Sequence, residues 1–345
     1  MMSKESLYSK PWKSKKTPKK ILLIRYQALG DVFFTFPYIS DLKSRYPEAS
    51  FDLIVRKQYS DLPFKMKMFR GVYTVKRSES KWTRILSFVK VRLKLLFKRY
   101  DIVIDLQRNH YSRFIRKTFF PKAFTELERF SPKLASERYK EAIERLQLGT
   151  SQMDFSFAKD YPKDPNMIQL LLDNGWKKNN KLILLNPAGA FVTRNWSIDN
   201  YVALIEKWSN NNPNSQFVIL GIDRIKSKAE EIQRRGGEKV INLVGKTNVS
   251  QAYSIVLMCD LTLTEDSGLG HFSWLSYIPT LTMLGSTRSD NSAPIGAHTY
   301  FFDSSNLECG NCMLRECIHD EILCMEQIKV EDVYTEMQKL AENEI

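Results

Sequence analysis

Four short stretches bring acids, cations and small residues together at spacings that suit chemistry on a phosphorylated substrate. The first runs Ile24-Arg25-Tyr26-Gln27-Ala28-Leu29-Gly30-Asp31-Val32, an apolar run that ends in a cation, a loop, and then an acid at a helix start. A carboxylate so placed serves as a helix cap or first-turn acid. At the top of a sheet it also suits a general base. The second is Asn186-Pro187-Ala188-Gly189-Ala190, followed by Thr193-Arg194-Asn195-Trp196-Ser197. A loop of small residues and then an arginine suits a phosphate, or is an ordinary turn beside a solvated cation. The third is Thr264-Glu265-Asp266-Ser267-Gly268-Leu269-Gly270-His271. Its backbone N–H groups at a helix start form an anion nest, with Asp266 as a cap or a ligand-hydroxyl partner. A lone His271 is by default a satisfied structural residue. The fourth, Leu284-Gly285-Ser286-Thr287, is weak by itself. No G-x-G-x-x-G is present, so a dinucleotide fingerprint is unsupported.

Two further features carry chemistry. Cys309, Cys312, Cys317 and Cys324 fall within 16 residues, with His319 among them. Four thiolates suit a structural zinc. The gaps are tighter than two separated knuckles, so reduced buried thiols and an iron–sulfur or redox role stay open beside it. A disulfide framework is disfavoured in a reducing compartment. The stretch Lys81–Arg99 has helical spacing, apolar on one side and cationic on the other. It reads as a sheet-covering helix with a solvated basic face, or as a contact for anionic lipid.

Positioning these groups takes alternating elements. Ile21–Ile24, Phe51–Val55, Val72–Val75 and Ile102–Asp105 read as strands, with helices over Val32–Tyr46 and Lys81–Arg99. A second series follows: strands Leu182–Leu185, Phe217–Leu220, Val240–Leu243, Leu261–Thr264 and Thr280–Leu284. Its helices are Asn200–Trp208, Ile225–Arg235, Ser250–Met258, Gly270–Tyr277 and Val330–Ala341. Such alternation predicts α/β architecture with parallel, doubly wound sheets. The domains expected are a basic disordered tail (1–18), an N-terminal domain (19–163) and a C-terminal domain (164–345) that includes the Cys-rich segment 309–324 and a last helix. There is no detectable internal repeat.

With 345 residues, 43% of them hydrophobic, the chain can build about two cored domains. Its apolar runs fall short of the ~20 residues that span a bilayer. The run Ile21–Ile24 is too short for a secretory signal. A cytoplasmic location is therefore expected. The net charge of +13 is uneven: residues 1–20 carry +6 and residues 65–122 carry +14, which leaves −7 elsewhere. A large anionic partner should therefore meet the N-terminal half. Membrane surface, phosphorylated glycolipid and nucleic acid all fit charge alone, but no nucleic-acid-binding signature is present.

Taken in order, the four stretches resemble the family 9 glycosyltransferases, the lipopolysaccharide heptosyltransferases. The resemblance rests on Leu29-Gly30-Asp31-Val32 with Phe36-Pro37, on Pro187-Ala188-Gly189-Ala190 with Arg194-Asn195-Trp196, on Asp266-Ser267-Gly268-Leu269-Gly270-His271, and on Leu284-Gly285-Ser286-Thr287. It covers about residues 20–340. It implies a GT-B fold, two Rossmann-like domains facing a central cleft, with acceptor on the N-terminal side and nucleotide-sugar on the C-terminal side. It implies inverting transfer with Asp31 as base and no metal needed for catalysis. Donor and phosphate contacts fall to Gly189, Thr193, Arg194, Asp266, Ser267, Gly268, His271, Ser286 and Thr287. Acceptor contacts fall to Arg25, Gln27, Gly30, Gln107 and Arg108. The implied partners are ADP-heptose, a lipopolysaccharide core or lipid A acceptor and the anionic inner-membrane surface to which the protein would associate peripherally; nucleic acid is not among them. The chain departs from the family at Arg194, where lysine is usual, at Ser197, where proline is usual, and at Leu269-Gly270 before His271. A non-catalytic nucleotide- or glycolipid-binding protein of the same fold, and a member using another nucleotide-sugar, are the alternatives.

Overall fold

A computed structural model describes residues 9–77, 80–129 and 131–342. The chain divides into two units, Met1–Tyr161 and Pro162–Ile345.

In the first unit, the fully buried run Ile21–Ile24 can be satisfied only between two other strands. It becomes the centre of a five-stranded sheet: β1 (Lys20–Ile24), β2 (Ser50–Arg56), β3 (Phe69–Val75), β4 (Ile102–Asp105) and β5 (Ala123–Glu126). The order is β3-β2-β1-β4-β5, and every pair is parallel. The expected helix Val32–Tyr46 is two helices, Leu29–Phe33 and Phe36–Arg45. Pro37 has no N–H to continue the first helix but fits the first turn of the second. The basic segment 1–18 is not simply a free tail. Residues 1–8 lie outside the described residues, but Lys10 pairs with Phe124 through two backbone hydrogen bonds (2.8 and 2.9 Å). The Trp12 N–H donates to the Leu146 carbonyl (2.9 Å).

The second unit holds a six-stranded parallel sheet: β6 (Lys181–Asn186), β7 (Ser215–Ile219), β8 (Val240–Asn242), β9 (Leu261–Glu265), β10 (Thr280–Met283) and β11 (Thr299–Phe302). Its order is β11-β10-β9-β6-β7-β8. Counted within each unit, the first five strands of both sheets follow the doubly wound order 3-2-1-4-5, the Rossmann arrangement. The last helix, Val330–Glu342, seals this core with Val333, Met337 and Leu340. Tyr334 meets Trp208 of the helix Ile198–Asn211 edge-to-face, with ring centroids 5.8 Å apart.

Two strands escape the hydrophobic pattern. In β5, Thr125 and Glu126 are polar yet buried. In β11, an edge strand, Tyr300 and Phe301 are apolar yet exposed.

Candidate functional site

In a doubly wound sheet, crossovers turn in opposite directions on either side of the first strand, which opens a crevice at the strands' carboxyl ends. In the first unit that point lies between β1 and β4, and the loops after them hold all the residues singled out there. Gln107 ties the two loops together: its Oε1 accepts from the Tyr26 N–H (3.1 Å) and the Gln27 N–H (3.2 Å). It is buried and acts within the protein. Arg108, also expected at the acceptor, is turned toward Glu126 at 3.6 Å and is 11% exposed. The position of Gln107 and Arg108 in the loop was legible, but their direction was not.

Asp31 is the residue the loop presents, with its side chain 48% exposed. Its Oδ2 accepts from the Ala28 N–H (3.0 Å), a cap of its helix, and pairs with Arg25 Nη2 at 2.7 Å. The cap expected of Asp31 is thus present. Arg25 is buried, donates through Nη1 to the Leu106 carbonyl, and lies 5.8 Å from the Tyr139 ring. Burial opposes its charge, but Tyr139 and Asp31 hold its pKa above the ordinary value. The Tyr139 hydroxyl stands 3.5 Å from Asp31 Oδ1. Two contacts on Oδ2 and the longer one on Oδ1 hold the carboxylate, and about half of the side chain stays exposed. Gly30 is a buried part of the same short helix.

Beneath these loops lies a buried ionic layer. Asp105 Oδ1 accepts from the Gln107 and Arg108 N–H groups (3.1 and 2.9 Å). Arg116 bonds Glu126 at 2.5 Å and approaches Asp105 at 4.0 Å, and Arg113 meets Glu126 at 3.2 Å. Burial pushes the Asp105 carboxyl up to about 6. This layer is why a strand can end in a buried acid.

The corresponding point of the second unit lies between β6 and β9. Asn186, at the end of β6, accepts on Oδ1 from Ser267 Oγ and from Thr264 Oγ1 (3.2 Å). Ser267 also caps the Gly270 N–H (3.2 Å) at the start of the helix Gly268–Trp274. Asp266 Oδ2 receives Arg194 Nη1 (2.8 Å) and the Thr287 hydroxyl (2.7 Å). Three of the four stretches thus converge on one carboxylate. His271 accepts on Nδ1 from Trp274 Nε1 (3.1 Å), which places its proton on Nε2.

Thr193 and Ser286, expected to contact phosphate, are buried. Their hydroxyls lie 2.8 Å apart, and Thr193 Oγ1 also donates to the Leu314 carbonyl (2.6 Å). They join loops; Arg194, itself only 7% exposed, turns its guanidinium into Asp266. Glycine is required on both sides of this segment. A Cβ on Gly189 would fall 2.4 Å from the Arg194 carbonyl oxygen. One on Gly285, whose φ is +55°, would fall 2.4 Å from the Thr193 carbonyl oxygen.

Glu265 was not singled out in the sequence, yet it organises the site. Fully buried, it accepts from the Gly189 N–H (2.7 Å), the Trp196 N–H (2.7 Å) and Tyr201 (3.2 Å), and it pairs with Lys228 (2.8 Å). Arg224 adds bonds to the Gly189 and Ala188 carbonyls, each 2.7 Å. The available signal was an acid ending an otherwise buried strand. Its partners lie as far as 76 residues away.

The cysteines are not gathered into a metal centre. Cys309, Cys312, Cys317, Cys324 and His319 line one small cavity behind Thr193 and Ser286. Among the described residues, however, no three His, Cys, Asp or Glu side chains are placed to hold a metal. Instead, the Cys317 thiol donates to the Glu321 carbonyl and the Cys324 thiol to the Thr193 carbonyl, both at 3.4 Å. Burial pushes the Cys324 thiol up to about 11. The segment braces the site by packing: the Met313 N–H donates to the Ser286 carbonyl (2.9 Å).

The model of glycosyltransferase family 9 (heptosyltransferase) matches residues 88–323. The chain belongs to that family. It is 27% identical over 177 residues to a lipooligosaccharide heptosyltransferase 2 of Campylobacter jejuni, an alignment that covers 50% of this chain and 54% of that protein. The chain thus spans about half the length of that curated relative. A solved family 9 glycosyltransferase from Veillonella parvula superposes with a TM-score of 0.78 at 17% identity, covering 94% of this chain and 97% of that one. The E. coli ADP-heptose lipopolysaccharide heptosyltransferase II does so with 0.71 at 18%, covering 93% and 98%. At such identities the likeness is one of fold, and the fold is the expected pair of parallel α/β domains.

Proposed function

We propose that this chain transfers a sugar from a nucleotide-sugar onto a lipopolysaccharide core or a related anionic glycolipid, heptose from ADP-heptose being the first choice. Family membership supports the reaction class, and the structural relative named for ADP-heptose supports the donor. The observation that carries the reading is Asp31: a half-exposed carboxylate at the mouth of β1, fixed through one oxygen by Arg25 and its own helix start.

In this reading the acceptor hydroxyl attacks the anomeric carbon as Asp31 Oδ1 takes its proton. The bond from that carbon to the diphosphate breaks with inversion, and the electron pair leaves on phosphate oxygen. Arg194 and the backbone N–H groups at Ser267-Gly268 meet that charge, so preorganised donors supply what a metal would otherwise supply. Asp266, braced by Arg194 and Thr287, holds donor-sugar hydroxyls. The basic stretch 65–122 draws the anionic acceptor at the cytoplasmic face of the inner membrane. Among the described residues no helix is long and apolar enough to cross a membrane.

Asp31→Asn tests the reading. Donor affinity by calorimetry should stay within about twofold, while transfer falls about 10²–10⁴-fold. Transfer at the unmodified rate would remove Asp31 from the chemistry.

A further inference from the structure

The helix Lys81–Leu95 departs from the expected pattern of one apolar and one cationic face. Phe88, Val91 and Leu95 are buried in the first unit's core. Yet Trp82 is 75%, Leu86 56% and Leu93 59% exposed, and just beyond the helix Phe97 is 88% exposed. At about 100° per residue, Trp82, Leu86 and Leu93 fall within an arc of roughly 40° on the side opposite the buried three. Apolar residues thus lie on both sides of one helix. Exposed Lys90 flanks the outer stripe about 40° from Leu86, and exposed Lys94 lies about 40° farther round. Arg92 lies 4.2 Å from the centroid of the Phe114 ring, itself 40% exposed, on the helix His110–Thr118.

Four large apolar side chains aligned in water are costly unless something covers them. We propose that this stripe is a membrane-docking surface: Trp82, Leu86, Leu93 and Phe97 enter the headgroup–acyl boundary of a bilayer rich in anionic phospholipid, and the surrounding lysines and arginines hold the headgroups.

The occupant follows from the chemistry of the patch. Residues 65–122 carry +14, so two copies meeting through this face would repel. A nucleic-acid backbone offers phosphate for the cations but nothing for Leu86 and Leu93. An anionic bilayer satisfies both, and tryptophan at the rim is what an interface favours. The proposal deepens the glycolipid-acceptor reading by giving the surface that would bring the first unit to the membrane. It is tested without donor or acceptor, so its failure and that of the transferase reading are separable.

The full chain is sedimented with vesicles of phosphatidylcholine alone and with about one third phosphatidylglycerol. Binding is expected only to the anionic vesicles and should weaken at about 0.5 M salt. Trp82 emission should shift to the blue on binding, and Trp82→Phe should remove most of that shift. Leu86→Ser with Leu93→Ser should weaken partitioning at least about tenfold, with the melting temperature and transfer to a soluble, lipid-free acceptor unchanged. Should that double variant fail to fold, Lys90→Gln with Lys94→Gln should still weaken anionic binding severalfold. Vesicle binding indifferent to both pairs would overturn the proposal. So would a dimer in solution that the serine variant dissociates, or duplex DNA that binds through the same four residues.

Discussion

The two units use one strand order in different ways. After β1, the first unit presents a carboxylate: Asp31 is half exposed while Arg25 and its own helix start hold it. After β9, the second unit absorbs its carboxylates: Glu265 is fully buried under four donors, and Asp266 is engaged by Arg194 and Thr287. The difference lies in what each unit must hold still. A single acid needs only to be aimed, and its helix start with Arg25 achieves that. A site built from three separated loops must first be assembled, and a buried acid with several donors assembles it. Topology sets where a site lies; the burial of each acid sets whether it acts outward or braces.

The largest effect that would break this contrast concerns Glu265. Glu265→Ala leaves Lys228 uncompensated and should cost about 3–5 kcal/mol in urea unfolding, whereas Asp31→Asn should leave unfolding nearly unchanged. Equal effects at both positions would erase the distinction. Next is Arg194→Ala, expected to weaken donor binding about 10–100-fold through loss of charge-assisted bonds. Arg194→Lys should recover part of the loss, and unchanged affinity would mean that the second unit's cation also serves only as a brace. A smaller effect should come from Asp105. Its folded carboxyl titrates near pH 6, above the ordinary carboxylate range, because burial disfavours the charge. Its contribution to stability is therefore present below that ordinary range and is lost as pH rises through about 6. Relative to Asp105→Asn, the unmodified chain should lose about 1–3 kcal/mol between about pH 4 and pH 7; a pH-independent difference would show that Asp105 is not titrating there. The finest test compares glycines in the second unit. Gly285→Ala should cost about 1–3 kcal/mol more than Gly175→Ala. Both have positive φ, but only Gly285 faces a backbone oxygen where its Cβ would be.

Much of the fold was legible because parallel strands buried on both faces are continuous apolar runs: Ile102–Asp105 was read to the residue. β5 was missed because its buried Glu126 looks like a surface residue until Arg108, Arg113 and Arg116 are placed around it. The helix at Lys81 was legible as a helix. Its outward apolar stripe was not, because the direction of the core fixes which face is which.

The sequence by itself determined the order of every strand but β5 and β11, the polar and glycine residues that follow β1, β6, β9 and β10, and the uneven charge. These are local properties, carried by periodicity and turn chemistry. Tertiary structure decided which of those residues act outward. It turned Gln107, Thr193 and Ser286 into ties between loops, left Asp31 half exposed, and made Glu265 a hub for groups up to 76 residues distant. It also left the four clustered cysteines as thiols lining a cavity. The physical reason is that a polar group's role depends on which partners satisfy it once water is excluded. In this fold those partners come from loops brought together only when the sheets form.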